Sequence, residues 1–314
     1  MQTERLTIAL TDGRTVEVLA LGPPGGVPLV VHHGTPGGGL VHYEPKTEEA
    51  VGRGLRVLHF ARPGYSRSSP RPGRRVANVA SDVAEILDAL GAETFITHGT
   101  SGGGPHALAC ASLLPGRCLA AASIAGVAPR DAEGLDWLAG MGPENVEEFG
   151  AAERSPGDLT AFLDKAAAGL GAVTGGDVIT GLGGLIDDAD KAVLTGEYAD
   201  YMAASLRAAV SRGIAGWYED DMAFVSDWGF ELGPDTSPVT GVPDLDESLD
   251  PPAPVAVWQG DQDRMVPFGH GQWLATHLPG ARVHLLPGEG HLSLEANHYD
   301  AILSDLLEAA GLQS

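Results

Sequence analysis

Apolar residues in the first half of the chain first recur with the spacing of strands. Residues 4–10 and 14–21 alternate between apolar and polar positions on either side of Thr11-Asp12-Gly13, and this pattern predicts a β-hairpin. The segments 28–33 and 55–60 are apolar almost throughout. Such runs are typical of strands that are covered on both faces, as in a parallel sheet.

Helical patterns separate and follow these strands. Residues 46–53 have a helical pattern, and residues 76–90 carry apolar side chains at intervals of three or four up to Gly91, which marks a helix end. The remaining elements of this half are a strand from Thr94, a helix near 105–114 and a strand over 118–126. This order predicts a doubly wound α/β sheet with an antiparallel start.

The pattern changes between residues 130 and 250. Strand alternation is lost there, and alanine, leucine and acidic residues at helical spacing predict a mostly helical insertion that returns to the sheet through a loop over 235–254. Beyond the insertion we predict strands at 255–260 and 281–286 and helices at 268–278 and 291–310. We therefore expect a mostly parallel, eight-stranded α/β core formed by residues 1–129 and 251–314, with residues 130–250 inserted after the sixth strand.

Charge is distributed unevenly along the chain. Residues 131–250 contain 25 acidic and 5 basic residues, which accounts for −20 of the net charge of −23. Such acidity argues against a nucleic-acid partner, and no apolar run approaches the roughly 20 residues of a membrane span. The polar start Met1-Gln2-Thr3-Glu4-Arg5 predicts no signal peptide, and the apolar surroundings of Cys110 and Cys118 predict buried, reduced thiols. We therefore expect a cytoplasmic protein.

Ser101 is the candidate nucleophile. It lies in Gly99-Thr100-Ser101-Gly102-Gly103, where the strand from Thr94 gives way to a helix. A serine at the tip of so tight a turn takes a strained backbone conformation, and a β-carbon at either flanking glycine would collide with the neighbouring strand or helix. The turn exposes the hydroxyl beside the positive end of the helix, where an oxyanion can be stabilised.

Four motifs in this order resemble the α/β-hydrolase fold family. They are His33-Gly34-Thr35-Pro36 after the third strand, Gly99-x-Ser101-x-Gly103 after the fifth, Gly260-x-x-Asp263-x-x-Val266-Pro267 after the seventh, and Gly290-His291 near the end. The resemblance covers essentially the whole chain and implies that residues 130–250 form a helical cap. We expect no cofactor and no metal. The glycine-rich loop after His33 lacks the Lys-Ser/Thr of a phosphate loop.

A serine hydroxyl needs a base within hydrogen-bond reach and a third group that orients the base. Among the 11 histidines, His291 is the one that the resemblance implies as the base; its other interpretation is a helix-capping residue. The family pattern selects Asp263 as the orienting acid. Asp261, which is also a candidate turn former, and Asp131, which follows the sixth strand, stay as alternatives.

The resemblance further implies an oxyanion hole formed by the backbone N–H groups of Thr35 and Gly102. One departure from the family pattern is Ala61, which stands where an aspartate is common before Arg62. We therefore expect some of the hydrogen bonds that support this turn to be missing.

We expect a serine hydrolase that acts on a small or medium carboxylic ester or lactone. A proline iminopeptidase-like aminopeptidase is the alternative, because the loop from His33 to Gly39 resembles that of those enzymes and Glu219-Asp220-Asp221 could bind an amine. The tryptophan that usually follows their serine is absent. A non-catalytic ligand-binding protein is the third hypothesis. The expected partner is a small neutral or cationic molecule, without nucleic acid or membrane.

Overall fold

The computed structural model describes residues 1–233 and 252–312. The predicted loop over 235–254 lies mostly outside these residues. In them, eight strands form one sheet. The strands are β1 (Thr3–Ala9), β2 (Thr15–Leu21), β3 (Val27–His32), β4 (Leu55–Phe60), β5 (Phe95–Thr100), β6 (Cys118–Ile124), β7 (Val255–Gly260) and β8 (Arg282–Leu286).

The strands follow the order β1-β2-β4-β3-β5-β6-β7-β8 across the sheet. The pairs β1–β2 and β2–β4 are antiparallel, and all the other pairs are parallel. The chain switches sides of the sheet after β3, which lies between β4 and β5. This arrangement confirms the predicted α/β fold with an antiparallel start, and it brings the ends of β3, β5, β7 and β8 to one edge.

The helices cover both faces of the sheet and also fill the chain between β6 and β7. They are α1 (Glu44–Gly52), α2 (Asn78–Ala89), α3 (Gly104–Leu113), α4 (Pro143–Arg154), α5 (Pro156–Leu170), α6 (Gly175–Gly181), α7 (Asp188–Val193), α8 (Gly196–Val210), α9 (Ala215–Phe224), α10 (Phe268–His277) and α11 (His291–Ala309). We call α4–α9 the insertion. Its function as a cap over a separate core stays a prediction.

Two apolar cores sandwich the sheet. Leu29 and Val57 belong to the core under α1 and α11, whereas their neighbours Val30 and Leu58 belong to the core under α2, α3 and α10. Successive side chains of a strand face opposite sides, so the continuous apolar runs of β3 and β4 supply both cores. Among the described residues, no helix combines the length and the apolarity that crossing a lipid bilayer requires.

Candidate active site

Ser101 follows β5 directly and has a φ of +58°, in the left-handed region that non-glycine residues rarely occupy. A Cβ at Gly99 would lie 2.0 Å from the carbonyl oxygen of Gly103, and a Cβ at Gly103 would lie 2.2 Å from that of His32. Neither position has room for a side chain. The predicted strained serine between two required glycines is therefore confirmed.

The loop after β3 packs against this turn. A Cβ at Gly34 would lie 3.6 Å from the Cβ of Ser101, and a Cβ at Gly102 would lie 2.4 Å from Thr35 Oγ1. Thr35, Ser101 and Gly102 line the same pocket. The two backbone segments that the resemblance implies as an oxyanion hole thus meet beside the serine.

Asp263 and His291 form a buried pair where β7 and β8 end. His291 Nδ1 lies 2.8 Å from Asp263 Oδ2. A carboxylate can only accept, so Nδ1 carries the proton and Nε2 is left as an acceptor. Asp263 Oδ1 accepts the N–H groups of Met265 and Val266 at 2.9 and 2.8 Å, and Gln259 Nε2 donates to Oδ2 at 3.0 Å. These donors fix the orientation of the carboxylate.

The two alternative acids lie on the surface. Asp261 is exposed, and its Oδ1 accepts the N–H of Gly288 at 2.8 Å, so this bond links two separate turns, whereas the bond predicted for a turn former was to its own backbone. Asp131 is also exposed. Of the three acids considered, the structure brings Asp263 to His291.

Thr100 links the serine turn to the helix that begins with His291. Its Oγ1 donates to Glu295 Oε2 at 3.0 Å, one helical turn beyond His291. Among the described residues, no hydrogen bond joins the Ser101 hydroxyl to His291. The structure therefore places serine and histidine at the same edge of the sheet without a direct bond between them.

His291 differs electrostatically from the other buried histidines. Burial lowers the pKa of His106 to about 3 and that of His98 to about 4, so both are neutral core residues. Burial also acts to lower the pKa of His291, but the carboxylates of Asp263, Asp190 and Glu295 raise it above its ordinary value. His291 therefore binds a proton more readily than these two histidines do.

The pocket beside Ser101 has a volume of about 40 Å³. Two carboxyl groups line it, those of Glu148 from α4 and Asp221 from α9. Asp221 is fully buried, and neither of its carboxyl oxygens accepts a hydrogen bond from a donor in the described residues other than the carboxyl group of Glu148. Trp217 Nε1 donates to Glu148 Oε1 at 2.6 Å. The apolar part of the wall includes Val127, Phe149 and Phe224.

The two carboxyl groups interact strongly. Burial raises the pKa of Glu148 to about 6. Burial and the adjacent Glu148 carboxyl group raise the pKa of Asp221 well above its usual range. Two adjacent buried carboxyl groups do not both ionise without a cation, so the pair shares a proton near neutral pH.

A family model for the alpha/beta hydrolase fold matches residues 27–297. The chain belongs to the α/β-hydrolase fold family. The matched range begins with β3 and ends inside α11, so it includes all the residues described above at the serine turn, the Thr35 loop and the Asp263–His291 pair.

The chain is also similar to individual known proteins. A non-heme chloroperoxidase of Streptomyces lividans is 31% identical over 148 residues, which are 46% of this chain and 53% of that protein, so the chain matches about half of its length. A hydrolase from Pseudomonas aeruginosa PA01 has a similar structure, with a TM-score of 0.64 at 20% identity over 98% of both chains. A thermophilic esterase from Thermogutta terrifontis gives a TM-score of 0.63 at 18% identity over 99% of both chains. At these identities the two structures show a shared fold.

Ala61, the departure from the α/β-hydrolase pattern, does not leave the turn unsupported. The buried guanidinium of Arg62 donates from Nη1 to the carbonyl oxygen of His33 at 2.5 Å and from Nη2 to that of Gly34 at 3.1 Å. Its Nη2 also donates to Asp220 Oδ2 at 2.6 Å. The carboxylate therefore comes from α9 of the insertion, and the expectation of missing hydrogen bonds is wrong for Arg62.

Asp220 joins the insertion to the Thr35 loop. Its Oδ2 accepts the hydroxyl groups of Thr35 and Tyr65, each at 2.8 Å, and its Oδ1 also accepts from Arg74. Burial would raise the pKa of Asp220, but Arg62 and Arg74 hold it well below its usual range. Two residues of the acidic run Glu219-Asp220-Asp221 therefore have different surroundings. Arginines neutralise Asp220, whereas Asp221 lines the pocket.

Removing this carboxylate is expected to destabilise the protein strongly. Asp220→Ala leaves two buried guanidinium groups without their anion, and breaking a buried ion pair in this way costs about 3–5 kcal/mol of the free energy of unfolding. Urea denaturation followed by circular dichroism measures the loss. Asp88→Ala is the control, because Asp88 is two-thirds exposed in its ion pair with Arg117 and should cost less than about 1 kcal/mol. Equal losses would contradict the described network.

Sequence reasoning did not find Glu148 or Asp190. Glu148 lies on an acidic helix where a solvated carboxylate is the usual interpretation, and the one available signal was its position one residue before the apolar Phe149. Asp190 lies among the acidic residues Asp187 and Asp188 with no distinguishing neighbour. Both contact residues far away in the chain, and no local pattern reports such contacts.

Proposed function

We propose that this α/β-hydrolase is a serine hydrolase that cleaves small or medium carboxylic esters or lactones through an acyl-enzyme on Ser101. The observation that carries the proposal is the left-handed Ser101 with Thr35 and Gly102 against it, at the sheet edge that also holds the Asp263–His291 pair. The named activity of the Thermogutta terrifontis esterase supports the ester class.

In the proposed mechanism His291 Nε2 takes the hydroxyl proton as Ser101 Oγ attacks the carbonyl carbon. The N–H groups of Thr35 and Gly102 stabilise the negative charge that develops on the carbonyl oxygen. His291 then gives its proton to the leaving alcohol as the C–O bond of the ester breaks. Water deprotonated by the same nitrogen releases the acid from Ser101, and Asp263 stabilises the imidazolium in both steps.

The serine–histidine contact that this mechanism needs is expected to close in the substrate complex, because catalytic hydrogen bonds are often long before substrate binds. The pocket volume of about 40 Å³ is room for roughly three waters at about 10–15 Å³ each. A small acyl group fits this space. The acidic insertion favours neutral or cationic substrates over anions.

A second candidate function, an aminopeptidase of the proline iminopeptidase kind, is supported by one specific observation. The carboxyl groups of Glu148 and Asp221 line the pocket of Ser101, and among the described residues Asp221 is buried with no hydrogen-bond partner except the carboxyl group of Glu148. A buried carboxylate gains most from a cation that donates hydrogen bonds to it. An ammonium group on the acyl side of the substrate supplies both the charge and the donors.

The experiment that tests these proposals compares substrates of the same shape. The p-nitrophenyl esters of proline and of cyclopentanecarboxylic acid differ in the ring nitrogen, and the two p-nitroanilides form a second such pair. Cleavage of both esters at similar kcat/KM supports the esterase. A preference for the proline compounds that includes the anilide supports the aminopeptidase. No turnover with any of the four, in protein that is folded by circular dichroism, favours the non-catalytic alternative.

If the carboxyl pair binds an amine, Asp221→Asn is expected to lower the proline-to-cyclopentane ratio of kcat/KM. A hydrogen bond to a charged group contributes about 1.5–3 kcal/mol, so the ratio should fall roughly 10- to 100-fold. Asp227→Asn is the matched control, since Asp227 is exposed beyond the end of α9. An unchanged ratio in Asp221→Asn would remove the amine site from this pocket while leaving the esterase proposal in place.

A further inference from the structure

The helix that begins with His291 has no N-cap side chain of its own. The residue before His291 is Gly290, and the first N–H groups of a helix need acceptors that a neighbouring Ser, Thr, Asp or Asn usually supplies. Here Asp190, from α7 of the insertion, supplies them. Its Oδ2 accepts the N–H of His291 at 3.1 Å, and its Oδ1 accepts those of Leu292 and Ser293 at 2.7 and 2.9 Å.

The contact between Asp190 and the start of α11 is buried, and it leaves room only for glycine at position 290. Asp190 has no exposed surface. A Cβ at Gly290 would lie 2.4 Å from Asp190 Oδ1 and 2.5 Å from Asp187 Oδ1, so any larger residue would displace the carboxylate. Asp187 in turn holds Asp190, because its Oδ1 accepts the N–H of Asp190 at 2.9 Å. The glycine of the Gly290-His291 motif therefore makes room for a side chain from the insertion.

We infer that Asp190 is a positioning residue for His291, through which the insertion fixes the backbone and the electrostatic surroundings of the base. The inference rests on the proposed function. A carboxylate that accepts the N–H of His291 itself holds the start of α11 relative to Asp263, on which the imidazole depends for its orientation. It also adds a negative charge, beside those of Asp263 and Glu295, that favours the imidazolium formed during each step.

Asp190→Asn tests the inference with little change in shape. In the unmodified protein three backbone N–H groups donate to the two carboxylate oxygens of Asp190. An asparagine side chain has one acceptor oxygen and no negative charge. We expect kcat to fall roughly 10- to 100-fold with KM changed less than about twofold. The pKa of His291 should fall, so the rising limb of the pH–kcat profile should move to lower pH. Asp188→Asn is the matched control, because Asp188 lies in the same helix with its side chain exposed.

Nitrogen-15 NMR titration of the His291 ring measures the same pKa without turnover, and hydrogen exchange of the amides of residues 291–293 measures their protection. A lower His291 pKa and faster exchange in Asp190→Asn, with neither in Asp188→Asn, support the inference. The same pKa and kcat in both variants, or a loss of thermal stability alone, overturn it. If Asp190→Asn does not fold, Gly290→Ala decides, because it displaces the carboxylate without changing charge: unchanged kcat and unchanged amide exchange would overturn the inference.

These readouts separate the inference from the proposed function. A pH–rate profile of the unmodified protein that shows no limb at the His291 pKa measured by NMR would count against His291 as the base. The ring titration and the amide exchange would still report whether Asp190 positions it.

Discussion

Ser101→Ala is expected to lower kcat for ester hydrolysis by roughly 10⁶-fold, the size of loss seen when a serine hydrolase loses its nucleophile. The Ser101 hydroxyl carries the acyl intermediate in the proposed mechanism, and alanine has no group that could replace it. The fold should be unaffected, because alanine is smaller than serine and the flanking glycines stay. Kinetics with p-nitrophenyl esters measure the change. For each ester, KM is expected to be similar to that of the unmodified protein.

Ser66→Ala is the matched control for this change. Ser66 also has a left-handed φ, of +50°, and it is not among the residues that line the Ser101 pocket. Both variants replace a serine in a strained backbone conformation by alanine, so a cost in stability is common to them. Activity near that of the unmodified protein in Ser66→Ala, and its loss in Ser101→Ala, assigns the effect to the hydroxyl. Comparable activity in both variants contradicts the proposed mechanism.

Asp263→Asn is expected to lower kcat by roughly 10⁴-fold, because an asparagine beside Nδ1 favours the wrong tautomer and gives no negative charge to the imidazolium. The pH dependence should change as well. A general base works when neutral, so activity of the unmodified protein should rise with pH through a pKa above the ordinary histidine value of about 6.5. Removing the Asp263 carboxylate lowers that pKa. The rising limb of the pH–activity profile of Asp263→Asn should therefore lie at lower pH than that of the unmodified protein.

Asp261→Asn is the control that separates the two candidate acids. Asp261 lies two residues from Asp263 on the same turn, and its carboxylate accepts the N–H of Gly288 without contacting the His291 ring. Asp261→Asn should keep the kcat of the unmodified protein, and the rising limb of its pH–activity profile should stay at the same pH. A loss in Asp261→Asn equal to that in Asp263→Asn would mean that the turn as a whole, and not the Asp263–His291 hydrogen bond, supports the activity.

Local patterns predicted the sheet closely because buried parallel strands have a pattern of their own. The run predicted as a strand at 28–33 is β3 at Val27–His32, and the run at 55–60 is β4 itself. The stripe at 76–90 forms a helix from Asn78 to Ala89. Val76 and Ala77 stay outside it, because both pack in the core and the N–H of Ala77 donates to the carbonyl oxygen of Trp228 at 2.9 Å.

The contacts between the insertion and the core could not be predicted from the sequence. Asp190, Asp220 and Asp221 belong to a region whose negative charge predicts a solvated surface, yet all three are buried. Each is paired or placed by residues more than 70 positions away, such as His291, Arg62 and Glu148. Hydrophobic periodicity reports which face of an element is buried. It does not report which distant backbone or guanidinium group a carboxylate will meet.

The central claim is that Ser101 is a nucleophile activated by His291, and reaction with a fluorophosphonate tests it most directly. Intact-mass spectrometry followed by peptide mapping is expected to show a single adduct, on Ser101, that is absent from Ser101→Ala and present in Ser66→Ala. Its rate of formation should rise with pH through the His291 pKa, and His291→Gln should slow it by orders of magnitude. An adduct that persists in Ser101→Ala, or that maps to another residue, would contradict the claim.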